Sequence, residues 1–251
     1  MGSKVAFYVE KLESSKNWDE YLLAESGLPG PRGNLELAQA FAEIGDERLI
    51  RKYISIRLEE APTNSAMVFL TVCGVVGLGT LINRGKMTYL KTLDRFASDP
   101  RWRVREAVAI ALQRVGDENI SLLLREAKRL SCGNFFEKRA AAAALCEPRL
   151  LTSEGIGSAV LDLLDEITHS IAGLEVDVKD KEAFEVLKKG LAYCWSVAVV
   201  ACPEKGKKLM EKWMLTKDRN IAWIMKENLK KNRLLKMDKE WVLNQTKQIS
   251  S

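Results

Sequence analysis

Histidine is almost absent from this 251-residue sequence, in which His169 is the only one. A zinc site requires several His, Cys or carboxylate ligands at short spacing, and no such group surrounds His169. No acidic residue is identifiable that would orient this imidazole as a general base. We therefore expect a structural or surface role for His169, and we predict a protein with no metal site and no cofactor.

Proline and alternating β-branched residues are also scarce, which argues against a β-sheet protein. Only 6 prolines occur, and Ala, Leu, Glu, Lys and Arg dominate the composition. With 47% hydrophobic and 29% charged residues, the chain is able to bury a sizeable core and does not have the composition of a disordered protein. The composition predicts an all-α fold.

The five cysteines lack the spacing of a metal or redox motif. Their number is odd, no Cys-x-x-Cys pair occurs, and Cys73, Cys146 and Cys194 have the apolar neighbours of buried free thiols. Reduced thiols are typical of the cytosol. The first 15 residues also lack the apolar core of a signal peptide, so we expect a cytoplasmic protein.

Long hydrophobic runs are limited to one stretch. Residues 61–83 carry no charge, and their continuous apolar part, 66–82, is near the minimum length of a membrane-spanning helix. This part contains two threonines and three glycines, and its small residues favour close packing against other helices. We expect a buried central helix and no membrane partner.

An internal repeat is the strongest positive signal in the chain. LAQAFAEIGDE and VAIALQRVGDE agree at five positions at an offset of 71 residues. This offset equals two units of about 35 residues, a period typical of α-solenoids built from helix pairs. In both copies the glycine, Gly45 or Gly116, is predicted to end a helix with a positive φ, and the aspartate that follows is predicted to cap the next helix.

The repeat sets our expectation for the fold. We predict an all-α structure, an α-α superhelix (α-solenoid) of about six HEAT-like helix pairs. Residues 1–251 would form a single α-solenoid domain, with the clearest repeats in 34–147 and less regular ones in 152–248.

Residues 98–119, SDPRWRVREAVAIALQRVGDEN, combine arginines, a tryptophan and an apolar stripe. Asp99 and Pro100 predict a tight turn followed by a helix start. The following apolar residues recur at helical spacing and predict a core-facing stripe, made of Val104, Val108, Ala111, Leu112 and Val115.

The same segment carries a resemblance to a known family. DPRWRVREAVAIAL resembles a HEAT repeat, and the following SCGNFFEKRAAAAAL resembles a segment of the alkylpurine DNA glycosylases that are built from HEAT-like repeats. The better-matched region covers roughly residues 85–147. The resemblance implies that Arg105 contacts DNA phosphate and that Lys138 and Arg139 extend the same basic strip.

Two features that the resemblance implies are missing. The tryptophan that cups the damaged nucleotide in that family would fall near Ala143, and the upstream helix, 65–82, has neither the Trp nor the Asp of the family's active site. An enzyme of this class needs an acid and an aromatic wall in one cleft. The sequence therefore predicts the repeat scaffold without catalytic residues.

Positive charge is concentrated near the C-terminus. Residues 205–239 hold 10 Lys and 2 Arg against 2 Glu and 2 Asp, a local charge of +8 in a chain of net charge +5. Such asymmetry suggests an anionic partner, although an ordinary lysine-rich helix facing solvent is the alternative. Lys226 and Lys230 are one helical turn apart, and with Lys231 they form a basic ridge beside Trp223 that suits a phosphate backbone.

Two residues of the repeat segment keep two interpretations each. Trp102 either packs over the preceding turn or offers a stacking platform, and Arg105 either bonds the aspartate of a turn or contacts phosphate.

These features predict a non-catalytic HEAT-repeat scaffold whose basic concave surface contacts nucleic acid, such as DNA, or another polyanion. A divergent alkylpurine DNA glycosylase acting in DNA repair is one alternative, and an adaptor that binds a protein partner in apolar grooves between repeats is another. The candidate nucleic-acid-binding residues are Trp102, Arg105, Lys138, Arg139, Lys226, Lys230 and Lys231.

Overall fold

The computed structural model describes residues 2–250, except for the side chain of Ser250. Within these residues, all the regular secondary structure is helical. This part contains fifteen α-helices and two short 3-10 turns, and it has no β-strand. The all-α prediction is therefore confirmed. The helices group into two compact units with the boundary after Asn119.

In the first unit the odd-numbered helices form a row. α1, α3, α5 and α7 pack against one another in chain order, whereas α2, α4 and α6 each pack against α5. The bounds are α1 Ser3–Ser14, α2 Trp18–Ala24, α3 Leu35–Ile44, α4 Glu47–Ile54, α5 Val68–Asn83, α6 Tyr89–Ala97 and α7 Trp102–Glu118.

Helix α5 forms the core of this unit, as the uncharged stretch predicts. Fourteen of its sixteen residues are buried. Two of its glycines allow neighbouring helices to come close. A Cβ atom on Gly74 would lie 2.9 Å from Cβ of Tyr53 in α4, and one on Gly79 would clash with the Ala111 carbonyl oxygen in α7. No helix in the described residues is long and apolar enough to cross a membrane.

Helix α7 contains the segment with mixed arginines and apolar residues. It begins two residues after Pro100, and Oδ1 of Asp99 accepts the backbone N–H of Arg101 at 2.8 Å in the preceding turn. The predicted stripe is confirmed, since each of its residues is at most 1% exposed: Val104, Val108, Ala111, Leu112 and Val115.

The prediction of positive-φ glycines at the two repeat positions is wrong. Gly45 does follow α3, but its φ is −63°, and Gly116 lies inside α7. Asp46 caps α4 by accepting the N–H of Leu49 at 2.7 Å, whereas Asp117 is still helical. The second copy continues as helix because Gly116 itself is buried in the packed face of α7, and tertiary packing outweighs the weak helix propensity of one glycine.

The second unit has a comparable row of odd-numbered helices. α9, α11, α13 and α15 pack successively, α8 packs on α9, and α10 and α12 pack on α11. The bounds are α8 Ile120–Ser131, α9 Phe135–Leu145, α10 Glu154–Ile171, α11 Lys181–Ala201, α12 Pro203–Met214, α13 Arg219–Leu229, α14 Asn232–Met237 and α15 Lys239–Ser250.

Candidate nucleic-acid interface

The net charge of the protein belongs to the second unit. Residues 2–119 contain 16 Lys and Arg and 16 Asp and Glu, so they are neutral overall. Residues 120–250 contain 23 Lys and Arg against 18 Asp and Glu, which accounts for the whole charge of +5. A surface that attracts anions is therefore to be sought in the second unit.

Helix α13 has its cations on one face. Arg219, Trp223, Lys226 and Lys230 are exposed and follow one another at steps of four, three and four residues, with Lys230 directly after the last helical residue. Residues at these steps share one side of a helix. The opposite side is buried and consists of Ile221, Ile224, Met225, Asn228 and Leu229. We call the four exposed residues the α13 strip.

The strip is only partly neutralised by acidic side chains. Lys230 pairs with Glu227. Within residues 2–250, neither Arg219 nor Lys226 has a carboxylate at ion-pair distance. Two of its three cations are thus available to an external anion.

Helix α11, which packs beside α13, adds exposed basic and aromatic side chains. Lys189 and Tyr193 are both exposed and lie one turn apart on α11. The guanidinium of Arg233 is 4.4 Å from the ring centre of Tyr193 and donates to its hydroxyl at 2.6 Å. The ammonium of Lys188 is 5.1 Å from the ring centre of Trp223. Each aromatic ring therefore has a cation over one face.

The buried amide of Asn228 holds α13 against α11. Its Oδ1 accepts the backbone N–H of Ser196 at 2.8 Å, and its Nδ2 donates to the carbonyl oxygens of Leu191 at 2.9 Å and Ile224 at 2.8 Å. Leu191 and Ser196 are five residues apart on α11, and the amide of Asn228 bridges the carbonyl of the first and the N–H of the second. Without Asn228, these two buried backbone groups would lose this hydrogen-bond partner. These bonds set the register between the two helices.

Asp218 fixes the start of α13. Its Oδ1 accepts the backbone N–H groups of Asn220 at 2.8 Å and Ile221 at 3.0 Å, and its Oδ2 accepts that of Gly173 at 2.7 Å. Burial tends to raise the pKa of Asp218, but the three N–H donors outweigh burial, and the pKa lies below its usual value. The carboxylate is therefore ionised at neutral pH, beside Arg219.

Of the C-terminal residues proposed from the sequence, Lys226 and Lys230 belong to the α13 strip. Lys231 is half-buried and precedes α14, so it does not continue the helical stripe. Sequence reasoning missed Arg219, which lies four residues before Trp223 and was detectable by the same spacing rule. It also missed Lys189 and Tyr193, which are exposed on α11, the helix that packs on α13.

Arg105 is buried rather than exposed, with 6% of its surface accessible. Its Nη1 donates to the carbonyl oxygens of Asp99 at 2.7 Å and Pro100 at 3.1 Å. The carboxylate of Asp99 is bound by Arg101, whose Nη2 lies 2.8 Å away. Arg105 thus braces the turn before α7, and its burial leaves little of the guanidinium accessible to a phosphate.

Lys138 and Arg139 are half-buried near the start of α9. The ammonium of Lys138 donates to the carbonyl oxygens of Ser131 and Gly133, both at 3.0 Å, and so satisfies groups at the end of α8. Arg139 packs its aliphatic part near Gly190 of α11. A strip joining these two residues to Arg105 would involve both units and stays a prediction.

The first unit contains a groove of about 1050 Å³ beside α1, α3, α5 and α7. Trp102, which is 43% exposed, lines it with Phe69 and Arg103. The guanidinium of Arg103 lies 4.2 Å from the ring centre of Trp102 and donates to the Gly30 carbonyl oxygen at 2.6 Å. Glu106, one turn after Trp102, lines the same groove, so one cleft contains both an aromatic ring and a carboxylate.

Comparison of the chain with protein-family models, with curated proteins and with solved structures finds no match. The structure itself defines an all-helical protein of two units. Its second unit carries the net positive charge and an exposed strip of cations and aromatic rings.

Proposed function

We propose that the protein is a non-catalytic scaffold of HEAT-like helix pairs, an α-solenoid, that binds a polyanion, nucleic acid foremost, through its second unit. The observation that carries this proposal is the α13 strip, where Arg219 and Lys226 flank Trp223 without a carboxylate partner among the described residues. Cations along one helix face follow a phosphate backbone without reading its sequence.

The helix packing supports the repeat architecture. In an α-solenoid each helix pair buries its apolar face against the next pair in the chain. The chain-ordered rows α1, α3, α5, α7 and α9, α11, α13, α15 have this neighbour-to-neighbour pattern within their own units.

Salt dependence of binding tests the proposal. We expect full-length protein to bind fluorescently labelled DNA, with log K falling linearly against log salt by about 0.9 for each phosphate neutralised. The double variant Arg219→Gln/Lys226→Gln should reduce this slope by about two phosphate contacts.

A matched pair of lysines controls for the loss of charge. Lys91 in α6 and Lys208 in α12 are exposed and lie outside the α13 strip. The variant Lys91→Gln/Lys208→Gln removes two charges as well and should leave the slope near that of the wild type. Equal effects of the two double variants, or binding that does not respond to salt, would count against the α13 strip and favour a protein-interaction adaptor.

Base excision is a second candidate, favoured by the presence of Trp102 and Glu106 in one groove of the first unit. An aromatic wall and an acid are what an alkylpurine DNA glycosylase requires, although α5 supplies neither. For a non-catalytic scaffold, we expect methylated duplex DNA to release no more methylated purine with the protein than in buffer, as measured by chromatography. If the protein does release methylated purine, and if the Glu106→Gln variant does not, the second candidate would be established instead.

A further inference from the structure

The two exposed aromatic rings of the second unit go beyond what attraction to a polyanion requires. Trp223 is 38% exposed and Tyr193 is 45% exposed, and both lie among cations on neighbouring helices. Binding of phosphate alone needs the cations but not the rings. We infer that this surface binds single-stranded nucleic acid, whose bases stack on Trp223 and Tyr193. The inference rests on the proposed function and specifies its ligand.

The rings are held in place before any ligand binds. Lys188, which lies over Trp223, is itself fixed by Glu185 at 2.5 Å and by Asn220 at 3.4 Å. Only 14% of the Lys188 side chain is exposed. Tyr193 is held by its hydrogen bond and stacking contact with Arg233. An oriented ring loses little conformational freedom when a base stacks on it.

The order of side chains along α13 suits a single strand. Arg219 precedes Trp223 by about one turn and Lys226 follows it by about one turn, each turn rising about 5.4 Å. A cation therefore lies on either side of the ring along the helix, where the phosphates flanking a stacked base would pass. In a duplex the base faces are covered by neighbouring pairs, whereas each base of a single strand has a face open for stacking.

An abasic strand separates stacking from charge. We would measure, by fluorescence anisotropy with full-length protein, binding to oligothymidylate, to an abasic single strand with the same number of phosphates, and to a duplex of equal length. We expect oligothymidylate to bind more tightly than the abasic strand and the duplex. Trp223→Ala should weaken binding to oligothymidylate by about 5- to 150-fold and leave binding to the abasic strand unchanged.

Three further variants make the result decisive. Trp223→Phe should recover part of the lost affinity, because phenylalanine also stacks, and Lys226→Gln should weaken binding to both single strands alike. Phe7→Ala removes an exposed aromatic ring that also lies under a lysine, in the first unit, and should have no effect.

Two outcomes would overturn the inference while leaving the proposed function intact. One is tighter binding to the duplex, and the other is equal binding to the abasic strand and oligothymidylate. Failure to bind any of the three, and heparin as well, would overturn both. If Trp223→Ala has lost helicity by circular dichroism, Tyr193→Leu takes its place. It should weaken binding to oligothymidylate and leave binding to the abasic strand unchanged, and an unchanged affinity for oligothymidylate would overturn the inference.

Discussion

Among single residues, the three arginines near the start of α7 show how far neighbouring side chains of one type differ in role. Arg101 forms a buried ion pair with Asp99, and Arg103 bonds the Gly30 carbonyl and stacks on Trp102. Arg105 donates to the carbonyl oxygens of the turn. Burial lowers the pKa of Arg103, yet a guanidinium remains charged at neutral pH. All three guanidinium groups bond backbone carbonyl oxygens, Arg105 those of its own turn and Arg101 and Arg103 those of distant segments.

Asn228 is the residue on which the candidate interface depends for its register. We expect Asn228→Leu to lower the free energy of unfolding by on the order of 3 kcal/mol, because the Ser196 N–H and the Leu191 carbonyl would be buried without this amide. Urea denaturation would measure the loss as a lower midpoint at an unchanged slope.

The matched control for this change is Asn244→Leu, at an exposed position of α15. It should alter the free energy of unfolding by no more than about 0.5 kcal/mol. Similar losses in the two variants would mean that the bridging bonds of Asn228 do not determine its contribution.

At the scale of elements, α13 depends on the carboxylate of Asp218, whose pKa is lowered in the folded state. A lowered folded-state pKa means that this group stabilises the fold above its unfolded pKa of about 3.9, and that the contribution is lost as pH falls through the folded pKa. We expect Asp218→Asn to be less stable than wild type by about 1 kcal/mol at neutral pH. Chemical denaturation at decreasing pH should show this difference shrinking toward zero in acid.

A carboxylate in the same region controls for a general effect of charge. Asp177 lies in the loop before α11 with 76% of its side chain exposed. Asp177→Asn should differ little from wild type at any pH. If the difference in free energy of unfolding between Asp218→Asn and wild type stays constant into acid, the charge of the Asp218 carboxylate does not contribute to the cap.

For the whole molecule, the distribution of charge matters more than its total. A net charge of +5 is modest for 251 residues, but all of it lies in 120–250, where 205–239 alone contribute +8. Several of these lysines are paired within the unit, Lys205 with Asp162 at 2.5 Å and Lys212 with Asp165 at 2.9 Å among them. Because these pairs neutralise part of the charge of 205–239, the attraction for anions is more localised, at the α13 strip, than the sequence charge suggests.

Much of the helical architecture was predictable because it follows from local spacing. The uncharged stretch predicts the buried helix α5, and the stripe from Val104 to Val115 predicts the packed face of α7. Apolar side chains at helical spacing have one favourable arrangement, which is burial against other helices. The Gly-Asp-Glu motif was a poorer guide, since the packing around Gly116 overrode the signal of the glycine.

The candidate site was less predictable for a physical reason. A positive charge in the sequence faces solvent or bonds backbone carbonyls according to which turn lies within its reach, and the folded geometry of that turn decides this. Arg105 and Lys138 both bond carbonyl oxygens, whereas Lys226 is exposed. Lys226 and Lys230 were identified because their spacing alone places them on one face.

Residue types and their spacing were sufficient to predict the helical composition, the positions of α5 and α7, and the excess of positive charge toward the C-terminus. These properties depend on residue type and spacing within one segment. Packing between helices is what places Lys189 and Tyr193 on the helix next to that of Trp223, and what allows Asn228 to join the two helices. Those juxtapositions arise from contacts between residues about 30 or more positions apart, which α11 and α13 form only when their apolar faces pack.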